Sequence, residues 1–167
     1  IISVAKHFPG HGDTSDDSHN TLPAVHHDRA RLDSVELLPF KRYIYDGYAG
    51  VMTGHLYVPA LDKARNKPVS MSRAVVTDLL QKELGFRGLC FTDALAMKGA
   101  TTRKSDNPSV MALLAGNDIL LAPTAPINDF AAVKEALEEG ILDREEIEAK
   151  IIKILQYKYI AGLNDYR

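Results

Sequence analysis

Apolar residues recur along the chain in two rhythms, and their alternation predicts the order of elements. Short continuous apolar runs bounded by glycine or polar residues mark buried strands. Such runs fall at residues 1–6, at Ala49–His55, at Gly88–Asp93 and at Ile119–Ala122. Helical spacing runs from about Asp33 to Tyr45, with Leu37, Leu38, Phe40 and Ile44 on or near one face. A second helix is predicted from Ser72, as N-cap, to Leu84, where Gly85 stops it. Others follow near Pro108–Ala115, ended by Gly116-Asn117, over about Ile127–Glu139, and over Arg144–Ile160. In the last, Ile147, Ile151, Ile154 and Leu155 recur at helical spacing, the pattern of an outer helix covering a sheet.

Four strand–helix units in succession indicate a parallel α/β arrangement. An eight-fold α/β barrel usually takes about 250 residues. Half a barrel therefore fits the 167 residues present, as would a small three-layer open sheet. The chain opens directly on a buried-strand pattern, without an initiator Met, a basic leader or a cleavage pattern, and reads as starting inside a fold.

Composition narrows the classes further. With 46% hydrophobic and 25% charged residues the chain suits one globular domain, or a piece of a larger one. A net charge of −2 rules out an electrostatically driven nucleic-acid binder. No apolar run approaches the roughly 20 residues of a membrane span. Cys90, the single cysteine, excludes an intrachain disulfide and reads as a small core residue.

Polar residues concentrate just past the predicted strand ends, where parallel α/β folds place their active sites. The loop over roughly 7–27 is the richest, with Lys6-His7-Phe8-Pro9-Gly10-His11-Gly12-Asp13 leading to Asp16-Asp17-Ser18-His19. Pro9, Gly10 and Gly12 give it a tight non-helical path. Asp17 and His19 are two apart, so both side chains leave an extended backbone on one side. A carboxylate beside an imidazole fixes its tautomer and raises its basicity, which suits a general acid/base. Asp93, at the end of the third strand, would project into the mouth of a barrel, and Thr53-Gly54-His55 forms another polar tip pointing the same way.

Other readings compete. His7, His11, Asp13, Asp17 and His19 are all metal-ligand types, but their spacing matches none of the helix-borne zinc signatures. Neither a metal nor an organic cofactor is expected. His26-His27 should face solvent, and Tyr43, Tyr45 and Tyr48 should be packing or rim residues.

Lys6-His7-Phe8-Pro9-Gly10-His11-Gly12 followed by Asp17-Ser18-His19 resembles the signature of the glycoside hydrolase family 3 β-N-acetylglucosaminidases. Val51-Met52-Thr53-Gly54-His55, Pro59-Ala60-Leu61-Asp62, Glu83-Leu84-Gly85-Phe86-Arg87-Gly88, Phe91-Thr92-Asp93-Ala94-Leu95 and Ala115-Gly116-Asn117-Asp118 continue the likeness in order. The resemblance implies a (β/α)8 TIM-type barrel, of which residues 1–167 would be the C-terminal half with strands five to eight. It implies a retaining exo-acting β-N-acetylhexosaminidase that removes terminal β-linked N-acetylglucosamine through a covalent glycosyl-enzyme. Asp93 would be the nucleophile, His19 the acid/base with Asp17 as its partner, and Lys6 and His7 would hold sugar hydroxyls. Many relatives follow the nucleophile with a second Asp; here Ala94 stands there. The implied substrates are muropeptides or chitooligosaccharides, and the implied setting is the bacterial cytoplasm or envelope. Half a barrel exposes strand edges, so the missing half or a second copy of the chain is the expected partner. Two rival expectations are a fragment inactive by itself and a metal-dependent hydrolase.

Overall fold

The computed structural model describes residues 1–14, 22–100 and 106–163. Three strands, β1 (Val4–Phe8), β2 (Gly50–Thr53) and β3 (Leu89–Thr92), form a parallel sheet in chain order. The strand expected at Ile119–Ala122 is present only as a bridge between Phe91 and Ile119. Ile119 N–H donates to the Cys90 carbonyl at 3.0 Å, and Thr92 N–H donates to Ile119 at 3.0 Å. The next rung goes to a side chain instead, with Leu121 N–H donating to Thr92 Oγ1 at 3.0 Å. Beyond it the contact continues irregularly, with Leu95 N–H donating to the Leu121 carbonyl at 2.9 Å and Ala96 N–H to that of Ala122, itself at a φ of 42°, at 3.1 Å.

The first connection begins with a single turn, α1 (Arg29–Arg31), opened by Asp28, whose carboxylate accepts from Arg31 N–H at 2.8 Å. A wider-wound turn, Leu32–Glu36, leads to α2 (Leu38–Tyr45). The uninterrupted helix expected from Asp33 to Tyr45 is thus divided at Leu37. Pro39 is the cause: it has no N–H, and its ring clashes with a helical carbonyl four residues back, so it is tolerated only in a first turn.

The second connection carries a widely wound helix over Ala74–Glu83. Ser72 starts it through its backbone, its carbonyl accepting from Val75 N–H at 3.1 Å and Val76 N–H at 2.8 Å. Its hydroxyl, expected to cap the helix, donates instead to Asp62 Oδ2 at 2.5 Å. Three further helices follow: α3 (Pro108–Ala115), α4 (Pro126–Glu138) and α5 (Arg144–Ile160). Asn107 Oδ1 caps α3 through the N–H groups of Ser109 and Val110, and Asp143 Oδ1 caps α5 through that of Glu146.

The core lies between the sheet and its crossover helices. Phe8, Val51 and Cys90, one from each strand, are fully buried with Leu37, Val75, Val76 and Leu80. Phe8 meets Phe40 edge to face at 5.1 Å. Burial, with the nearby Asp118 carboxylate, pushes the Cys90 thiol up to about 11, in keeping with an inert core residue.

The outermost helix differs from expectation. α5 forms where predicted, but none of its residues is buried, and Ile151, Ile152, Leu155 and Ile160 stay more than half exposed or close to it. A 17-residue helix is about 25 Å long, whereas a four-residue strand spans about 13 Å, so α5 outruns the sheet it was expected to cover. It is tied to β3 by charge: Lys153 Nζ lies 2.9 and 3.0 Å from the two oxygens of buried Asp118. Asp118 Oδ2 also accepts from Cys90 N–H at 2.8 Å.

Candidate active site

Parallel strands deliver the residues that follow them to one edge of the sheet. β1 brings Lys6 and His7 there, β2 leads into Gly54-His55, and β3 into Asp93. Pairing along β1 is irregular: Ala5 faces Val51, but Phe8 faces Thr53, so three steps on one strand match two on the other. Such a bulge re-aims the side chains it contains, and Lys6 and His7 lie within it. The Lys6–His7 and Phe8–Pro9 peptide bonds are cis.

His7 and Asp93 come together, with His7 Nε2 3.6 Å from Asp93 Oδ2. Asp93 is held through its backbone. Its N–H donates to the Thr53 carbonyl at 2.9 Å, and its Oδ1 accepts from Ala94 N–H at 2.8 Å. One oxygen is thereby fixed by the turn while the other is offered to His7. The side chain is 13% exposed, so it reaches the surface without lying open to bulk water.

His55 supports that turn from beneath. Its Nε2 lies 3.0 Å from the Ala94 carbonyl, which can only accept, so Nε2 carries the hydrogen. Its Nδ1 lies 2.7 Å from Ser70 Oγ, and burial holds its pKa below the ordinary histidine value. A neutral ring then accepts the Ser70 proton at Nδ1. His55 was expected as a polar tip at the strand end; it reaches that edge, yet full burial makes it a brace for Asp93-Ala94 rather than a reactant. Asn117 braces the same region, accepting from Thr53 Oγ1 at 2.9 Å and donating to the carbonyls of Ser70 and Ala112 at 2.7 and 2.8 Å.

Lys6 is exposed and, with His7, lines a cleft of about 630 Å³ walled by Val35, Phe40 and Tyr43. Asp93 is not among the cleft's walls; His7 belongs to both groups. The expected acid/base pair, Asp17 and His19, lies outside the described residues.

Farther along the loop, His11 Nδ1 is 2.6 Å from Thr14 Oγ1, and its ring meets that of His7 edge to face at 5.8 Å. His26 is exposed as expected; His27 is partly exposed, and its Nε2 is 2.5 Å from Asp13 Oδ2. The hydrogen bond and charge of His27 hold the Asp13 carboxyl below its usual range. Among the described residues one group of possible metal-ligating side chains is formed, by Asp13, His27 and Glu36. Of the ligand types expected from sequence, only Asp13 belongs to it. Glu36 sits within the apolar stretch that signalled a helix, and an acid on that face was the available sign. The tyrosines behave as expected, Tyr43 stacking on Tyr48 at 4.7 Å and Tyr45 standing exposed at the rim.

A parallel α/β sheet with its polar residues gathered past the strand ends defines the class, and comparison with known proteins identifies the family. The model of the glycosyl hydrolase family 3 N-terminal domain matches residues 1–157, and the chain belongs to that family. Its fold is of the (β/α)8 TIM-barrel type, and the described sheet and helices are part of such a barrel. Beta-hexosaminidase A of Pseudoalteromonas piscicida is 36% identical over 178 residues, covering 95% of this chain and 30% of the relative. The family 3 β-N-acetylglucosaminidase of Paenibacillus sp. superposes with a TM-score of 0.91 at 35% identity, over 100% of this chain and 32% of that one. A zinc-bound structure of CbsA from Thermotoga neapolitana gives a TM-score of 0.86 at 33% identity, over 99% and 37%. The chain thus spans about a third of the length of these relatives.

Proposed function

We propose that this chain carries part of the catalytic site of a retaining exo-β-N-acetylglucosaminidase. The reading rests on one observation above all: a strand-end carboxylate, Asp93, faces His7 of the Lys-His-Phe-Pro-Gly-His-Gly run at 3.6 Å. Relatives named beta-hexosaminidase and β-N-acetylglucosaminidase support it.

In the proposed reaction Asp93 attacks the anomeric carbon, and the bond to the glycosidic oxygen breaks as His19, in its imidazolium form, gives that oxygen a proton. The fixed Oδ1 of Asp93 leaves Oδ2 as the attacking atom, with its lone pairs kept from free rotation by the Ala94 N–H. Neutral His19, oriented by Asp17, then takes a proton from water as that water displaces Asp93 and releases the sugar with retained configuration. Lys6 and His7 hold sugar hydroxyls. Ala94 lends its N–H and its carbonyl, so the second carboxylate found there in many relatives is not required to fix Asp93. Terminal N-acetylglucosamine on muropeptides or chitooligosaccharides is the proposed substrate. The remainder of the barrel, supplied by the missing half or by a second copy of the chain, completes the sugar site.

The test is Asp93→Ala assayed on p-nitrophenyl N-acetylglucosaminide, with this chain and with a longer parent chain. Loss of at least about 10³-fold in turnover, partly restored by azide, is expected, since azide replaces the missing nucleophile. Unchanged turnover in the variant would overturn the assignment. Activity confined to the parent would make the present chain a folding unit of the enzyme.

A further inference from the structure

We propose that Asp13, His27 and Glu36 form a binding site for a first-row divalent transition metal, of which zinc is the type. The site opens on the same cleft as Lys6 and His7 but includes neither His7 nor Asp93, and it does not depend on the glycosidase reading.

The three residues come from separate stretches, and one ligand atom of each lies within 4.8 Å of the others. Two carboxylates and one imidazole suit zinc and its neighbours rather than calcium or magnesium, which favour all-oxygen sets. Zinc bonds of about 2.0–2.1 Å put tetrahedral ligand atoms about 3.3 Å apart, so side-chain rotations of an ångström or so would seat the ion.

Glu36 gives the independent sign. Its side chain is 6% exposed, yet Oε2 has no hydrogen-bond partner among the described residues, and a buried unpaired carboxylate oxygen is costly. Gly10, at a φ of 139°, allows this close seat: a Cβ there would stand 2.8 Å from Glu36 Cβ. Arg31 faces both carboxylates, with Nη2 3.2 Å from Glu36 Oε1 and 3.7 Å from Asp13 Oδ2. Arg31 and His27 meet Asp13 Oδ2 and Arg31 meets Glu36 Oε1, which leaves Glu36 Oε2 without a partner among the described residues. The Arg31 side chain is 45% exposed, so it can swing into water when an ion enters. Asp13, Arg31 and Glu36 also line the 630 Å³ cleft, which supplies an entry path. In sequence, Asp13 and His27 flank the segment bearing Asp17 and His19, so the ion would join the two ends of that loop.

The experiment is calorimetric titration of zinc chloride into the protein and into Glu36→Gln, Asp13→Asn and Arg31→Gln, with cobalt absorption as a spectroscopic readout. One equivalent should bind, with tetrahedral cobalt bands and a raised thermal midpoint. Glu36→Gln and Asp13→Asn should each weaken binding at least about tenfold, and Arg31→Gln should leave it equal or tighter. Asp13 is exposed, so Asp13→Asn keeps the test open if Glu36→Gln fails to fold. No saturable binding, or binding that survives both carboxylate variants because the ion sits on other histidines, overturns the proposal. Neither result bears on Asp93, whose role is read from turnover.

Discussion

Asp118 is the charge on which the outer helix depends, and its removal gives the sharpest test of the packing described above. Asp118→Ala deletes three attachments at once: the acceptor for Cys90 N–H and the partner of Lys153, both within 3.0 Å, and the more distant Lys150 at 4.0 Å. An unpaired buried N–H costs about 1–3 kcal/mol. Breaking a buried ion pair from one side costs about 3–5 kcal/mol, and the lower end applies here because Lys153 is 29% exposed and can turn to water. The expected loss is about 4 kcal/mol. With a urea slope of about 2 kcal/mol/M for a small protein, the midpoint should fall by about 2 M. Adding Lys153→Met to Asp118→Ala should recover up to about 3 kcal/mol of this, since the stranded charge goes while the unpaired N–H stays. A pH signature accompanies the single variant. Burial already pulls the Lys150 pKa down, and Asp118 pushes it back up, so deleting Asp118 lowers it further. Between the lowered folded-state pKa and the unfolded lysine value the unfolded chain then holds more protons than the folded one, so folding stability rises with pH over that window. The gap to the wild type should narrow toward pH 10. A midpoint shift worth less than about 1 kcal/mol, or a double variant no better than the single, would refute the reasoning.

Two further predictions follow from buried positions. Gly116 ends α3 at a φ of 115°, and a Cβ there would lie 2.4 Å from Thr77 Oγ1, so Gly116→Ala should destabilise by about 2–3 kcal/mol in thermal or urea unfolding; a neutral result would contradict the assigned backbone. Cys90, with its thiol raised to about 11 from 9.0, should resist iodoacetamide at pH 8 while the protein is folded. Between pH 9 and 11 the unfolded chain loses that proton first, so stability should fall by up to about 3 kcal/mol, a slope absent from Cys90→Ala.

The order of elements was legible in the sequence because strand and helix have different periods, and β1, β2, β3 and the five predicted helical regions fall close to where the apolar rhythm puts them. Pairing strength was not legible: the Ile119 segment carries a strand pattern, but Thr92 Oγ1 intercepts its ladder and leaves a bridge. Asp93, Lys6 and His7 were named from strand ends and a motif, since a parallel sheet sends every strand end to one side. That Asp93 Oδ2 faces His7, that buried His55 carries its hydrogen on Nε2, and that Glu36 meets His27 and Asp13 are facts about elements distant in the chain. Local patterning fixes which face of an element is apolar; only the packing of one element on another decides which polar groups lose water and which partner each of them finds.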